Sequence, residues 1–90
     1  MKKIGLIGGL SWVSTAEYYR LLNEITQKML GGVSSPHLIL ESVNREAYVQ
    51  NVNIRKDEAA ASEMILAAAQ SVEAGGAEFI VICCNDVHRF

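Results

Sequence analysis

Three short apolar runs punctuate this chain, at residues 3–8, 37–40 and 79–83. The first ends in a pair of glycines, and the other two end in small or charged polar residues. Short apolar runs bounded in this way are typical of buried strands. We therefore predict three strands at these positions.

Two helical patterns separate the predicted strands. In the first, Ser14 and Glu17 have the spacing of a capping box, which predicts a helix that starts at Ser14 and ends at the glycines 31–32. In the second, residues 57–74 are rich in Ala, Glu and Met and are followed by the glycines 75–76. The apolar positions of the first helix recur at helical spacing and comprise Tyr18, Leu21, Leu22, Ile25 and Met29.

The order β-α-β-α-β predicts an α/β fold with a three-stranded parallel sheet. Right-handed crossovers place the two helices on opposite faces if the third strand lies beside the first, in the flavodoxin-like order 2-1-3. Residues 44–53 are polar and lack a clear period, so we predict a loop there with one helical turn. The 90 residues are expected to form a single α/β domain, 1–90.

Composition excludes several classes of protein. Half of the residues are hydrophobic and the net charge is −2 without a basic cluster, which argues against nucleic-acid binding. The apolar runs are too short to cross a membrane, and the first residues lack the features of a signal peptide. Cys83 and Cys84 are adjacent and cannot readily bond to each other, so two reduced thiols predict a cytoplasmic protein.

Polar residues follow all three predicted strands, at 8–11, 42–45 and 83–86. Ligands of open parallel sheets bind beyond the carboxyl ends of the strands, so these segments predict a small polar pocket. The first loop lacks both common nucleotide-binding spacings. We expect its glycines to permit a tight turn and its backbone N–H groups to bind a carboxylate, with hydroxyl groups from Ser11 and Thr15.

The two cysteines are expected to have different roles. Adjacent strand residues point to opposite faces, so one thiol faces the site while the other packs in the core. Together with His88 they supply too few ligands for a structural zinc site, and no metal is predicted. His88 is interpreted either as a partner of the thiols or as a surface residue. Trp12 is expected to be a packing residue.

Two segments resemble the aspartate/glutamate racemase family. Residues 4–20, with Gly8-Gly9-Leu10-Ser11-Trp12, are similar to that family's opening motif, and residues 84–88 are similar to its motif of Cys or Thr followed by Asn. The resemblance implies a cofactor-independent enzyme of two pseudo-symmetric α/β halves, each providing one catalytic residue. It further implies that one thiolate removes the α-proton of a small amino acid or dicarboxylate while an opposing thiol returns a proton.

The resemblance also assigns roles to individual positions of this chain. It makes Cys84 the catalytic residue. The residues that it implies for substrate binding are Leu10, Ser11, Asn51, Asn85 and Asp86.

This chain departs from the family pattern in three ways, of which the mildest is Leu10 in place of the usual methionine. Asp86 stands where the motif has threonine, and a carboxylate there would repel an acidic substrate and raise the thiol pKa, which favours another amino acid or a related acid. The second half is absent from the 90 residues, so we expect a truncated N-terminal domain with one catalytic residue of two. A homodimer that places the Cys84 thiols of two copies on either side of one substrate would supply both catalytic residues.

Two other functions fit the same residues. One is a non-catalytic fragment or small-acid-binding module. The other is an isomerase or decarboxylase of the same superfamily. Exchange of the substrate α-proton with solvent would separate an enzyme from a binding module.

Overall fold

The computed structural model describes residues 2–54 and 56–83. Within them, strands β1 (Ile4–Gly8), β2 (Leu38–Ser42) and β3 (Phe79–Ile82) form one parallel sheet in the order β2-β1-β3. This arrangement confirms the predicted α/β class and strand order. The central position of β1 means that the loop after it is flanked by the ends of both neighbouring strands.

The helices are α1 (Trp12–Leu30), α2 (Arg45–Val49) and α3 (Glu58–Ala74). The predicted bounds of α3, residues 57–74, were accurate. Asp57 caps the helix by accepting a hydrogen bond from the N–H of Ala60 at 3.0 Å.

The segment between β2 and α3 is more helical than the sequence predicts. The Oδ1 atom of Asn44 accepts hydrogen bonds from the N–H groups of Glu46 and Ala47, at 2.9 and 3.3 Å, and so starts α2. A wider, π-type turn over Gln50–Ile54 then continues the helix. The prediction of a loop with one helical turn was therefore wrong, because a five-residue helix is too short to show a period.

The predicted start of α1 at Ser14 was also wrong. Ser11 has the extended backbone of an N-cap residue, and its carbonyl accepts the first helical hydrogen bond from the N–H of Thr15 at 3.0 Å. Ser14 lies inside the helix as a result, and Glu17 pairs with Arg20 rather than completing a capping box. The helix ends at Leu30, as Gly31 and Gly32 predict.

The helices α1 and α3 cover opposite faces of the sheet. Ile7 packs in a core cluster with Ile65 and Ala68 of α3. Gly8 is the next residue, and it lies directly against the side chain of Thr15 in α1. Since adjacent strand residues point to opposite faces, the predicted placement of the two helices on opposite faces of the sheet is confirmed.

Much of the apolar surface of α1 remains exposed in this chain. Met29 is 77% exposed and Ile25 is 52% exposed, although both belong to the predicted apolar stripe. Trp12 is 69% exposed, so the expectation that it packs was wrong for the part of the chain described. A 19-residue helix is about 28 Å long whereas a five-residue strand spans about 17 Å, so the ends of α1 extend past the strands, and Trp12 lies at the very start of that helix.

None of the helices described is long and apolar enough to cross a membrane.

Candidate functional site

The segments that follow the three strands meet at the carboxyl edge of the sheet. The N–H of Val43 donates to the carbonyl of Gly8 at 2.7 Å, and the N–H of Cys83 donates to the carbonyl of Ile7 at 2.9 Å. Both bonds extend the sheet by one residue past β2 and β3. The end of β1 therefore fixes the starting points of the other two loops.

The loop after β1 is held by a buried threonine. The N–H of Gly9 donates to Thr15 Oγ1 at 3.0 Å, and this hydroxyl donates to the carbonyl of Ser11 at 3.1 Å. Thr15 is only 7% exposed, so these hydrogen bonds are shielded from water. A polar group left without a partner there would destabilise the protein. They fix the position of Ser11, whose own hydroxyl makes no capping bond to α1.

Gly9 also brings this loop into close contact with the end of β2. Its φ of +87° lies in the left-handed region, which glycine adopts without strain. A Cβ at this position would collide with the backbone of Val43 and with the hydroxyl of Ser42. The glycine is therefore required for the two loops to touch.

A cavity of about 230 Å³ lies beside these loops. It contains Leu10 and Ser11, so the structure brings together two of the residues predicted to contact the substrate. Leu10 is also part of the core and packs against the buried Tyr48, and so provides an apolar wall. Three polar side chains, those of Ser11, Arg45 and Asn53, also line the cavity. Its full set of lining residues is Leu10, Ser11, Arg45, Tyr48, Val49, Val52 and Asn53.

Asn51, a third predicted contact, is not among the residues of this cavity. Its side-chain amide donates to the sulfur of Met64 at 3.3 Å, and its carbonyl accepts from the N–H of Asp57 at 2.7 Å. Asn53, two residues further on, reaches the cavity instead. The π-type turn determines which of the two asparagines does so, and no sequence pattern reveals such a turn.

A larger cavity, of about 520 Å³, adjoins the first and shares Val52 and Asn53 with it. Its other residues are Lys56 and Glu58, which carry opposite charges. We assign the candidate site to the smaller cavity, because two predicted substrate contacts, Leu10 and Ser11, line it. Its lining residues also include one cationic side chain, that of Arg45, and no acidic one.

Several predicted site residues lie outside the described part of the chain. These are the candidate catalytic residue Cys84, the predicted contacts Asn85 and Asp86, and His88. Cys83 is described, and its side chain is completely buried, in agreement with its predicted packing role. Across residues 2–54 and 56–83, no three His, Cys, Asp or Glu side chains form a group that could hold a metal ion.

Comparison with known proteins identifies the family. The family model for Asp/Glu/hydantoin racemases matches residues 7–90, nearly the whole chain. The chain belongs to this racemase family. The resemblance stated from the loop motifs is thereby confirmed.

Solved structures of related proteins have the same fold. A protein from Yersinia pestis assigned as an Asp/Glu racemase is 42% identical to this racemase-family chain, with a TM-score of 0.93. An aspartate racemase homologue from Pyrococcus horikoshii OT3 is 34% identical, with a TM-score of 0.91. Each comparison covers 99% of this chain and 38% of the solved one, so the chain spans well under half the length of these relatives.

Arg45 is a residue of the candidate site that the sequence analysis did not identify. It stands three residues after β2 and contributes the positive charge of the cavity. A signal for it was present in the sequence. Asn44 is a good N-cap residue, and a cation follows it directly, beyond the carboxyl end of a strand.

Proposed function

We propose that this chain provides one side of an active site that racemises a small acidic amino acid of the aspartate or glutamate type. The observation that carries the proposal is the cavity beside β1 and β2, where Ser11 and Arg45 converge in a chain of the racemase family. Hydrogen-bond donors and a guanidinium are the groups that hold carboxylates in proteins.

The proposed chemistry is transfer of a proton at the α-carbon, without a cofactor. Cys84, as a thiolate, takes the α-proton: the Cα–H bond breaks, its electron pair stays on carbon, and an S–H bond forms. A second thiol on the opposite face of the substrate then donates its proton to the carbanion. The new Cα–H bond gives the α-carbon the opposite configuration. Donors that bind the substrate carboxylate stabilise the charge that builds up between these steps.

The position of Cys83 supports Cys84 in this role. The N–H of Cys83 is bonded to the end of β1, one strand away from the loop that carries Ser11. Cys84 follows it directly in the sequence, so the proposed base comes immediately after a residue that is bonded to the end of β1.

One thiol cannot protonate both faces of the same carbon, so we propose that the second group comes from another segment of chain. The lengths of the related structures support a further segment of chain as its source, since this chain covers 38% of each. A second copy of the chain, in a homodimer, is the other source. If a further segment of the same chain supplies the second group, the described residues form one half of a two-sided active site.

Exchange of the α-proton with solvent tests the proposal. The full-length protein is incubated in heavy water with aspartate or glutamate, and incorporation of deuterium is followed by NMR. We expect exchange with the unchanged protein and its loss in Cys84→Ser, while Cys83→Ala retains it provided that circular dichroism shows an intact fold. Exchange that persists in Cys84→Ser would overturn the role of that thiol. Absence of exchange in the unchanged protein would overturn the racemase proposal.

A further inference from the structure

The turn that lies between the two adjoining cavities is tied to α3 by one residue, Asn51. Asn51 belongs to the π-type turn Gln50–Ile54, and its side-chain amide donates a hydrogen bond to the sulfur of Met64 in α3 at 3.3 Å. Its backbone carbonyl accepts from the N–H of Asp57, the cap residue of α3, at 2.7 Å. The side chain of Asn51 therefore links the turn to the body of α3, and its backbone links the turn to the start of that helix.

The Met64 end of this link has a fixed position. Met64 packs against the core cluster that contains Ile65 and Ala68, its neighbours on α3. A thioether sulfur is a weak hydrogen-bond acceptor, so the bond from Asn51 adds little to the stability of the whole fold. What the bond does determine is how the turn is oriented with respect to the core.

The backbone between the turn and α3 is constrained as well. Lys56 has a φ of +53° and is the one non-glycine residue with a positive φ in residues 2–54 and 56–83. This conformation is unfavourable for a residue with a Cβ and persists only where neighbouring interactions enforce it. The hydrogen bond between Asp57, the next residue, and the carbonyl of Asn51 closes this connection and is such an interaction.

The two residues that follow Asn51 form the wall shared by the two cavities. Val52 and Asn53 line both of them, and Val52 also packs against the core cluster. A turn released from α3 would move both side chains relative to Ser11, which lines the smaller cavity with them. The orientation of Asn51 therefore affects the shape of the candidate site, although Asn51 itself is not among the residues that line it.

We propose that Asn51 is a positioning residue, which acts through Met64 to hold the π-type turn so that Val52 and Asn53 form the wall of the candidate site. This inference rests on the proposed function. It gives Asn51 a role different from the substrate contact that the family resemblance implies, because the amide that would make such a contact is bonded to α3 instead.

Replacement of each end of the link tests the inference. Asn51→Leu removes the donor, and Met64→Leu removes the acceptor while it nearly conserves the apolar volume. The two substitutions are made singly and together in the full-length protein, and circular dichroism checks that each variant is folded. Asn51→Asp, which cannot donate when ionised, replaces Asn51→Leu if that variant does not fold.

Asn23→Leu is the matched control. The amide of Asn23 also donates one hydrogen bond, to the carbonyl of Tyr19 at 2.9 Å, and Asn23 lines neither cavity. A change that appears equally in this variant would come from the loss of any asparagine on the protein surface and would overturn the inference.

We expect each single substitution in the link to raise the KM for aspartate in α-proton exchange about 3- to 10-fold, the range for loss of one hydrogen bond. The kcat should change by less than about twofold, since the proposed base, Cys84, is not part of the turn. The double variant should resemble the single ones, because all of them lack the same bond. A loss in Asn51→Leu without one in Met64→Leu would indicate direct contact with the substrate and would overturn the inference, as would losses that multiply in the double variant.

Binding of succinate separates this inference from the proposed function. Succinate has the two carboxylates of aspartate but no stereocentre to invert, and it is titrated into the same variants by calorimetry. Similar weakening in Asn51→Leu and Met64→Leu, without weakening in Asn23→Leu, would support the role of Asn51 even if no α-proton exchange is found. Unchanged affinity in the two variants of the link, or no binding to the unchanged protein, would overturn it.

Discussion

The N–H of Gly9 donates a hydrogen bond to the hydroxyl of Thr15, and the two residues lie in the loop after β1 and the first turn of α1. The same hydroxyl reaches back to the carbonyl of Ser11. This pair of bonds ties the site loop to the helix it precedes. It makes the conformation of Ser11 depend on a side chain that is itself buried.

Removal of the Thr15 hydroxyl is therefore expected to destabilise the protein. Thr15→Val leaves the N–H of Gly9 buried without its acceptor, at a cost of about 1–3 kcal/mol in the free energy of unfolding. Urea denaturation measures this cost. Thr15→Ser keeps the hydroxyl and is the control, so a loss as large in the serine variant would show that the methyl group, rather than the hydrogen bonds, is what matters.

An added side chain at Gly9 should destabilise the protein more than one at a glycine that also has a left-handed φ but has free space around it. Gly9→Ala combines a left-handed φ with a collision against the end of β2, and we expect a cost above about 2 kcal/mol. Gly32 is the matched control, because its φ is +62° and no atom lies within 4 Å of the added Cβ.

For Gly32→Ala we expect about 1 kcal/mol, from the backbone alone. Both variants are compared by urea denaturation. Equal costs in the two variants would contradict the close approach of the β1 and β2 loops.

The cap of α2 should affect acid binding as well as stability. Asn44→Ala removes the acceptor that starts the helix, at a cost of about 1 kcal/mol, and releases the turn that holds Arg45. We expect weaker succinate binding by calorimetry in this variant, whereas Asn44→Asp retains the acceptor and most of the binding.

Asp57→Ala is the comparison for a cap whose residue does not line the cavity. Asp57 starts α3 in the same manner, so its loss should give a similar change in stability without a change in succinate binding. A matching loss of binding in Asp57→Ala would mean that the effect of Asn44 is global.

The ion pairs on α1 predict a small dependence of stability on pH. Arg20 lowers the pKa of Glu17 below its ordinary value, mainly through a hydrogen bond to the carboxylate. A carboxyl whose pKa is lowered by folding stabilises the protein above its unfolded-state pKa, and this contribution disappears as the pH falls through the folded-state value. Because both side chains are about half exposed, solvent screens the effect.

We therefore expect Glu17→Gln to melt at a slightly lower temperature than the unchanged protein near pH 7, and the difference to shrink as the pH falls toward about 2. Thermal unfolding by circular dichroism measures it. Glu63→Gln, on the exposed face of α3, is the control. A difference for Glu17→Gln that is constant with pH would contradict the ion pair.

Much of the fold could be predicted from the sequence because its signals are local. The three apolar runs, the composition of α3 and the glycines after each long helix are visible in the chain itself, and the β-α-β-α-β order then restricts the topology. The exposure of Trp12 could not be predicted in this way, since burial depends on which other residues cover a side chain.

The candidate site was only partly predictable, for a similar reason. Leu10 and Ser11 were found because they directly follow a strand. Arg45 was missed, and Asn53 lines the cavity where Asn51 was expected. Their positions depend on a five-residue helix and a π-type turn, which follow from the cap at Asn44 and from packing rather than from any repeating pattern.

The central place of β1 has a consequence for how the protein is made. Lys3 and Glu78 are hydrogen-bonded although 75 residues separate them, so the strand that leads into Ser11 is synthesised long before its neighbour β3. Contacts between such distant residues slow folding, and until they form an apolar strand edge is open to other chains. The candidate site is therefore completed only after β3 has been synthesised, and termination before β3 would leave an aggregation-prone product rather than a smaller working domain.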